Sequence, residues 1–317
     1  MKDKYGREIS YLRLSVTELC NLRCRYCMPE EGVCKKAHAD MLTEEEMIQA
    51  VEVASDLGIR KVRITGGEPL TKPNIISICR RVAEVDGIKQ VCLTTNGVLL
   101  PKLAKLLKEA GVQRINLSLD TLNGEKAAYM TRRNLHSQSL AGLHAALEAG
   151  FDRVKVNAVL IGGFNEDEIP SLAELTRQFP VDVRFIELMP IGPQKDLGPT
   201  AFLPCSTVLE ALPELEPLEQ TDGVAQLYRL PGALGTVGLI HPISQHFCNR
   251  CNRLRLTADG KLKPCLHGPE EYPIKGLDKV GMVAQFQQAI FAKPPCHPLL
   301  SPTCPSPAGR SMNQIGG

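Results

Sequence analysis

The sequence has little net charge, although 23% of its residues are charged. Its 37 lysines and arginines are nearly balanced by 35 aspartates and glutamates, which gives a formal net charge of +2 at pH 7. This balance provides no global attraction to nucleic acid or to a membrane surface, so we expect neither as a partner. An anionic ligand would have to be bound by a few cations at one site.

Long apolar runs are also absent, since none approaches the roughly 20 residues that a transmembrane helix requires. Residues 1–10 lack the charged-then-apolar pattern of a signal peptide. Twelve cysteines in 317 residues are far fewer than the roughly 8–10% that marks a small disulfide scaffold. We therefore expect a cytoplasmic protein, or a mitochondrial matrix protein whose transit peptide has been removed. In such a compartment, closely spaced cysteines more often bind metal or carry out redox chemistry.

Residues 1–190 alternate between short apolar runs and segments of helical periodicity. The runs predict strands at 11–16, 62–65, 91–95, 114–120, 153–160 and 182–189. The periodic segments predict helices at 43–57, 73–85, 101–110, 139–149 and 167–179. Thr43, with Glu46 three residues on, is the expected N-cap of the first helix. This alternation predicts a parallel sheet with helices outside, either a partial barrel or a doubly wound sheet, because six units are too few for a complete eight-unit barrel.

Residues 191–317 form a second predicted region of mixed α and β structure, in which Pro-rich loops replace the regular alternation. A short helix is predicted near 206–212, strands at 226–230 and 236–240, and a last helix at 275–292. Residues 254–257 and 261–265 predict a β-hairpin, for which Asp259-Gly260 suits a type I′ turn. The Pro-rich segment 293–307 cannot be helical, and the chain ends in Gly316-Gly317.

The first cysteine group, Cys20, Cys24 and Cys27, has the spacing C-x3-C-x2-C in the loop after the first strand. Three thiolates at this spacing can hold three irons of a 4Fe–4S cluster and leave the fourth iron without a protein ligand. A structural zinc site, which normally has four ligands, and buried cysteines without metal are the alternatives. Cys34 is interpreted as a spare thiol.

The second cysteine group, Cys248, Cys251 and Cys265, has the spacing C-x2-C-x13-C around the predicted hairpin. Again there are three thiolates, because Cys265 is not followed by the second cysteine that a zinc ribbon needs. His267 lies two residues beyond Cys265 and could be the fourth ligand of a zinc ion. On spacing alone, zinc and an iron–sulfur cluster both stay open here.

The run C-N-L-R-C-R-Y-C at 20–27, with Gly66-Gly67-Glu68-Pro69 after the next strand, resembles the radical S-adenosylmethionine (SAM) enzymes. The resemblance implies a partial (β/α)6 barrel and a 4Fe–4S cluster whose open iron binds SAM and cleaves it to a 5′-deoxyadenosyl radical. The two glycines also fit a backbone that approaches a ligand closely. The resemblance implies four SAM-binding residues: Tyr26, Gly67, Ser118 and Met189.

Residues 247–266, F-C-N-R-C-N-R-L-R-L-T-A-D-G-K-L-K-P-C-L, resemble the C-terminal cluster region of the GTP 3′,8-cyclase family, which begins molybdenum cofactor synthesis. Motifs at 11–17, 94–97, 116–122, 154–157, 184–190 and 316–317 extend the resemblance over nearly the whole chain. It implies a second 4Fe–4S cluster whose open iron binds the guanine of GTP. It also implies the reaction, a lyase step in which the radical takes hydrogen from the 3′ carbon and the ribose closes onto guanine carbon 8.

The sequence contains no G-x-x-x-x-G-K-[ST] loop, so cationic side chains must hold the triphosphate. Guanidinium groups bind phosphate oxygens through paired hydrogen bonds, and Arg253 and Arg255 share one face of a strand. With the resemblance, the predicted GTP-binding residues are Arg13, Arg63, Thr94, Lys155, Arg253, Leu254 and Arg255. Among these, Arg13, Arg253 and Arg255 are the candidates for a catalytic role.

Two other function classes stay open at this point. One is another radical SAM enzyme with an auxiliary cluster, such as a peptide-modifying enzyme. The other is a non-catalytic protein, either an electron carrier or a binding module stabilised by a bound metal. The cyclase interpretation implies GTP as substrate, an electron donor of the flavodoxin or ferredoxin type, and cyclic pyranopterin monophosphate synthase as the next enzyme. A homodimer is a further option. The segment 294–307, with Cys296 and Cys304, does not match the family pattern.

Overall fold

A computed structural model describes residues 1–34, 36–193, 197–219, 223–301 and 304–316, and its central feature is one twelve-stranded sheet. The strands are β1 (Tyr11–Ser15), β2 (Lys61–Thr65), β3 (Gln90–Thr95), β4 (Arg114–Ser118), β5 (Arg153–Leu160), β6 (Val181–Glu187), β7 (Glu216–Pro217), β8 (Gln226–Arg229), β9 (Val237–Ile240), β10 (Arg253–Leu256), β11 (Lys261–Lys263) and β12 (Tyr272–Pro273). The α-helices are α1 (Glu44–Asp56), α2 (Ile75–Glu84), α3 (Leu100–Glu109), α4 (Gly124–Thr131), α5 (His136–Glu148), α6 (Ile169–Gln178), α7 (Ser206–Ala211), α8 (Lys279–Phe291) and α9 (Met312–Ile315).

Strands β1 to β6 are parallel and adjacent in chain order. A doubly wound sheet reverses its strand order at a switch point, so the sequential order confirms the partial barrel, and the doubly wound alternative is wrong. The C-terminal region adds two parallel strands, β10 beside β1 and β9 beside β6. Within the described ranges β9 and β10 do not pair with each other, so this barrel of eight parallel strands is open.

The two faces of the barrel strands differ in character. Alternate residues, such as Val154, Val156 and Ala158 of β5, are buried in the main apolar core between the sheet and the helices. Each buried valine contributes on the order of 1.5–3 kcal/mol of burial free energy, and the methyl group of Ala158 contributes less, about 0.8 kcal/mol. The residues between them, such as Lys155 and Asn157, face the barrel interior. The strands therefore present a polar lining inside an apolar layer.

The helices confirm most of the predicted periodicity. The Thr43 hydroxyl accepts a hydrogen bond from the Glu46 amide (3.2 Å), and the Glu46 carboxylate accepts one from the Thr43 amide (2.8 Å), which completes the predicted capping box. Helix α4, which begins after an Asn123 N-cap, was not predicted. Only Ala127 and Met130 of its eight residues are buried, too few to give a helical pattern.

The hairpin of β10 and β11 is confirmed, but its predicted turn type is wrong. A type I′ turn needs positive φ at both central residues, whereas of Asp259 and Gly260 only Gly260 has one (+77°). The Gly260 amide donates to the Thr257 carbonyl (3.0 Å), and the Thr257 amide donates to the Lys261 carbonyl (2.9 Å). This is a turn closed by a left-handed glycine, and a hydrogen bond from the Thr257 hydroxyl to Asp259 (2.6 Å) supports it.

The two C-terminal helices differ from the prediction. Helix α8 begins four residues later than expected, because Asp278 caps it by accepting a hydrogen bond from the Gly281 amide (2.8 Å). Helix α9, which follows the Pro-rich segment, was not predicted.

No described helix could cross a membrane, since the longest have 13 residues and a span takes about 20.

Candidate functional site

The first cysteine group lies at the carboxyl end of β1, the end of a parallel barrel where active sites form. All three thiols are partly buried and free. Burial raises the pKa of Cys20 to about 11 and of Cys27 to about 12. It also raises the pKa of Cys24 well above its usual value, with the Cys27 and Asp120 charges adding to the effect. These thiols hold their protons unless a metal displaces them. Cys34 is exposed, as a spare thiol would be.

The sulfur spacing tests which metal the two cysteine groups fit. Two sulfurs on one zinc ion are at most about 4.6 Å apart, twice the Zn–S distance. In the described chain, neither cysteine group has its three sulfurs all within 4.8 Å of one another. His267, whose ring contacts the Ser306 hydroxyl (3.1 Å), does not complete such a group either. The donor sets therefore fit multi-iron clusters and do not form single-zinc sites.

Gly66 and Gly67 follow β2 and pack against the chain itself. A Cβ on Gly66 would lie 2.6 Å from the Thr17 carbonyl oxygen, and one on Gly67 would lie 2.4 Å from the Leu19 carbonyl oxygen. The close approach that excludes side chains here is to the backbone leading into the first cysteine group. The expected approach of the two glycines to a ligand stays a prediction. These glycines thus seat the cysteine loop on the barrel.

Glu68 joins this turn to the end of β3, a contact that sequence reasoning missed. Its buried carboxylate accepts hydrogen bonds from the Leu70 amide (3.0 Å), the Thr95 hydroxyl (2.7 Å) and the Asn96 amide (2.8 Å). Burial raises the pKa of Glu68 to about 7, although these three donors lower it. The available signal was its place in the Gly-Gly-Glu-Pro motif.

Two of the four predicted SAM-binding residues line one cleft with Cys24. Tyr26 and Ser118 share this cleft with Asn96 and Asp120. The Tyr26 hydroxyl donates to an Asp120 carboxylate oxygen (2.7 Å), and burial raises the pKa of Tyr26 well above its usual value. Asp120 and Asn96 were not predicted as site residues, although each is a polar residue at the carboxyl end of a strand.

Met189 and Gly67, the other two predicted SAM-binding residues, lie outside this cleft lining. Met189 packs with Ile191, Ala308 and Ile315, so it contacts the C-terminal tail.

The predicted GTP-binding cations converge inside the barrel. Strand register aligns Arg13 of β1 with Arg63 of β2 and with Arg255 of β10. The Arg63 guanidinium donates to the Thr94 hydroxyl (3.4 Å). The Lys155 ammonium lies 3.5 Å from Asp182.

Burial is the largest cause of the pKa shifts among these cations. It lowers the pKa of Arg13 well below its usual value, with the Arg255 charge adding to the effect. It lowers the pKa of Arg255 to about 10, with the Arg253 charge adding. Burial and the Arg184 charge lower the pKa of Lys155 to about 8. Buried like charges of this kind fit a bound polyanion.

Leu254 is not brought together with these cations. Its side chain is buried in the apolar core on the opposite face of β10 from Arg253 and Arg255. Any contact to a ligand would have to come from its backbone.

Asn116 of β4 is a polar lining residue that sequence reasoning did not single out. It lies in register between Thr94 and Lys155. Its buried Oδ1 has no hydrogen-bond partner in the described structure. Such an orphaned acceptor fits a ligand donor in the interior.

The second cysteine group lies beside the cations. Burial raises the pKa of Cys251, but the charges of Lys293 and Arg253 lower it by more, so this pKa is lowered overall. Cys248 keeps a raised pKa, chiefly through burial. Burial and the His297 and Arg255 charges lower the pKa of His267 to about 3, so its ring is neutral. The second group therefore has one thiol, Cys251, whose pKa is lower than usual, whereas the pKa of all three thiols of the first group is raised.

The C-terminal tail connects the two cysteine groups. The Asn313 amide hydrogen-bonds to the Cys27 sulfur, and the Asn313 side chain donates to the Glu18 carbonyl (3.0 Å). Three residues later, the Gly316 carbonyl accepts a hydrogen bond from Arg255 (2.6 Å). Gly317, the other residue of the predicted Gly-Gly tail, lies outside the described residues.

Arg310 anchors the tail through ion pairs to Glu271 (2.5 Å) and Asp259 (3.0 Å). Asp259 belongs to the β10–β11 turn, so the same hairpin carries the second cysteine group and holds the tail.

Solved structures share this fold. The SAM-bound structure of SuiB from Streptococcus suis matches with a TM-score of 0.60 at 14% identity, covering 82% of this chain and 59% of that chain. Methylornithine synthase matches with a TM-score of 0.53 at 18% identity, covering 65% and 62%.

Family and sequence comparisons cover nearly the whole chain. Residues 14–176 match the model of the Radical SAM superfamily, and residues 181–299 match the model described as Molybdenum Cofactor Synthesis C. The chain is 48% identical to the GTP 3′,8-cyclase of Alkaliphilus oremlandii and 46% identical to that of Moorella thermoacetica, with all of both chains covered in each case. The chain therefore belongs to the radical SAM superfamily and, within it, to the GTP 3′,8-cyclase family.

Proposed function

We propose that the chain is a GTP 3′,8-cyclase, a lyase that converts GTP to 3′,8-cyclo-7,8-dihydro-GTP in the first step of molybdenum cofactor synthesis. The observation that carries this proposal is the cationic barrel interior beside two groups of three cysteines. Full-length similarity to curated cyclases supports it. When bound, the reduced first cluster and SAM supply the radical that takes the 3′ hydrogen of GTP.

The two cysteine groups have separate roles in this proposal. We assign the SAM-binding 4Fe–4S cluster to the first group and a second 4Fe–4S cluster, which meets the guanine, to the second group. The SAM-binding residues are Tyr26, Gly67, Ser118 and Met189. Tyr26 is held by Asp120, so its ring has one fixed position in the cleft.

The triphosphate and ribose are bound by the interior cations. Arg13, Arg253 and Arg255 are the residues to which we assign both binding and catalytic positioning. Burial of Arg13 and Arg255 strengthens their hydrogen bonds to phosphate, and Arg253 lies on the same face of β10 as Arg255. Further GTP contacts come from Arg63, Thr94, Lys155 and the Leu254 backbone. The tail residue Gly316 lies on Arg255 and restricts how water and substrate reach it.

Other partners follow from the chemistry. The first cluster must receive one electron, so we propose a donor of the flavodoxin or ferredoxin type. The product passes to cyclic pyranopterin monophosphate synthase. We propose a cytoplasmic location, in keeping with the bacterial sources of the relatives named above, and a homodimer as the state to test by light scattering.

An anaerobic assay tests the function. Protein reconstituted with iron and sulfide, then incubated with SAM, dithionite and GTP, should give 5′-deoxyadenosine and the cyclised nucleotide. Arg255→Ala should lower kcat/KM for GTP about 10- to 100-fold, the loss expected for one charged hydrogen bond. Arg229→Ala, which removes an exposed arginine of β8, is the matched control and should leave the rate unchanged. SAM cleavage that is independent of GTP and gives no cyclised product would contradict the proposal.

A further inference from the structure

Three buried side chains outside the residues assigned above form a compact group. Glu187 ends β6, Cys205 directly precedes α7, and His241 directly follows β9. Each offers one ligand atom, and these atoms all lie within 4.8 Å of one another. Glu187 and Cys205 are fully buried, and His241 is 7% exposed. No other histidine, cysteine, aspartate and glutamate side chains in the described chain converge in this way.

Sheet register brings the three residues together. Ile186 of β6 pairs with Ile240 of β9, so the residues that follow, Glu187 and His241, leave the sheet side by side. The Cys205 amide donates to the Glu187 carboxylate (3.2 Å), and the Cys205 sulfur lies 3.4 Å from the Ile240 carbonyl oxygen. Because the three positions are far apart in the sequence, no spacing motif could reveal them.

The His241 ring is buried, yet its two nitrogens have few and long hydrogen-bond contacts. Its Nδ1 lies 3.5 Å from Glu187 and 3.4 Å from the Ser244 hydroxyl, both long contacts. Its Nε2 is buried and has no hydrogen-bond partner among the described residues. Buried polar atoms normally have a partner. Nδ1 is the nitrogen that faces Glu187, so a cation bound there would replace these two long contacts.

Glu187 is held in one orientation by hydrogen bonds to both of its carboxylate oxygens. The amides of Ile243 (3.0 Å) and Ser244 (2.9 Å) donate to Oε2, and the Cys205 amide (3.2 Å) and the Ser244 hydroxyl donate to Oε1. Such hydrogen bonds fix the orientation of a ligand side chain. Because these donors fill the acceptor positions of the carboxylate, a cation bound at Oε1 would take the place of the Ser244 hydroxyl, which can rotate away.

We propose that Glu187, Cys205 and His241 bind one divalent cation of borderline softness, for which zinc is the probe. Carboxylate, thiolate and imidazole are the ligand types that zinc takes in proteins. On binding, the Cys205 thiol releases its proton to solvent, and the thiolate and carboxylate then balance the two charges of the ion. A cleft of about 630 Å³, lined by His241 and Ser244 among others, gives the ion and a fourth, water ligand a path from solvent. The cation ties β6, β9 and the start of α7 together, and the proposal does not depend on the cyclase activity.

The test uses protein with both iron–sulfur clusters fully loaded, incubated with zinc and desalted. Elemental analysis should find one zinc per chain in addition to the iron. X-ray absorption at the zinc edge should show one sulfur at about 2.3 Å and the remaining ligands at about 2.0–2.2 Å. Cys205→Ala and His241→Gln should each weaken zinc binding by at least the roughly 10- to 100-fold typical of losing an outer-shell partner, with iron unchanged. Cys79→Ala, which removes a buried thiol of α2, is the matched control and should keep the zinc.

Three results would overturn the proposal: no zinc bound at micromolar concentration, zinc retained by both variants, or a zinc spectrum with three sulfurs, which would place the ion in a cysteine group. If Cys205→Ala does not fold, zinc binding by His241→Gln alone decides the test. A failed cyclase assay leaves the zinc–sulfur signal unaffected, so the two proposals fail separately.

Discussion

The first and second cysteine groups each provide three thiols, yet their charged neighbours differ. Beyond burial, the Asp120 charge raises the pKa of Cys24, and the Glu68 charge raises that of Cys20. Beside the second group, the charges of Lys293 and Arg253 lower the pKa of Cys251. The first group therefore has carboxylates beside it, one of them the buried Glu68, whereas the second group has cations beside it.

This difference matches the two ligands of the proposed reaction. SAM carries a sulfonium and an ammonium group, so carboxylates near its site favour it. GTP carries several negative charges, which favour the end with arginines and Lys293. In the proposed reaction, charge therefore sorts SAM to the first cysteine group and GTP to the second.

Removing one thiol from either group should have the largest effect and should separate the two roles. Cys24→Ala should lose about four of eight irons and all SAM cleavage, because the first cluster would lack a ligand. Cys251→Ala should lose the same number of irons and all cyclised product, while SAM still perturbs the first cluster. Iron analysis and product chromatography measure both. Cys304→Ala, which changes an exposed cysteine, is the control and should retain all iron. Equal loss of SAM binding in both variants would contradict the division.

Deleting Gly316-Gly317 should break the connection that the tail makes between the two cysteine groups, while both iron–sulfur clusters stay bound. The Gly316 carbonyl holds Arg255, so its loss should lower cyclisation about 100-fold or more, the effect of misplacing a group by about 1 Å. Iron content should stay at that of the intact chain. A deletion variant with full cyclisation activity would show that the tail does not position the arginine.

Gly67→Ala should selectively disturb the first cysteine group. Its Cβ would lie 2.4 Å from the Leu19 carbonyl oxygen, so the loop leading to Cys20 must shift, at a cost of about 1–3 kcal/mol. We expect a lower melting temperature and weaker SAM binding, with GTP binding unchanged. Gly124→Ala is the matched control, since its Cβ meets only His136 at 3.9 Å. Equal effects of the two substitutions would refute this role for Gly67.

The smallest expected effect is a pH dependence at the GTP end. Burial and the Arg184 charge lower the pKa of Lys155 to about 8, so its ammonium loses charge as the pH rises through that value. Because the charged form binds phosphate, KM for GTP should rise about tenfold between pH 7 and pH 9. Lys155→Arg keeps its charge in this range and should give a flat profile. The same rise in both proteins would remove Lys155 from the phosphate site.

Local signals in the sequence predicted much of the fold. The capping box at Thr43 and the strand at 153–160 depend on neighbouring residues alone, and both were confirmed. The joining of β9 and β10 to the barrel was not predicted, because strand pairing across more than 50 residues leaves no local pattern. The turn at Gly260 was assigned wrongly, because the Thr257 hydroxyl and the Lys261 pairing select a different geometry from Asp-Gly alone.

In the candidate site, too, local sequence signals were predictive and long-range contacts were not. Motifs located both cysteine groups and the cations, since these residues lie in or beside short contiguous runs; their assignment as ligands stays a prediction. Asp120 and Glu68 acquire their roles from contacts with distant residues, and Asn116 acquires its role from its register between Thr94 and Lys155. Sequence spacing predicts neither. The Arg255–Gly316 contact likewise joins positions 61 residues apart.

Electron paramagnetic resonance of the reduced protein, with and without each ligand, tests the division of roles most directly. In Cys251→Ala, which should keep only the first cluster, SAM should change the spectrum and GTP should not. In Cys24→Ala, which should keep only the second cluster, GTP should change the spectrum and SAM should not. A GTP-induced change in Cys251→Ala, or a SAM-induced change in Cys24→Ala, would contradict the account.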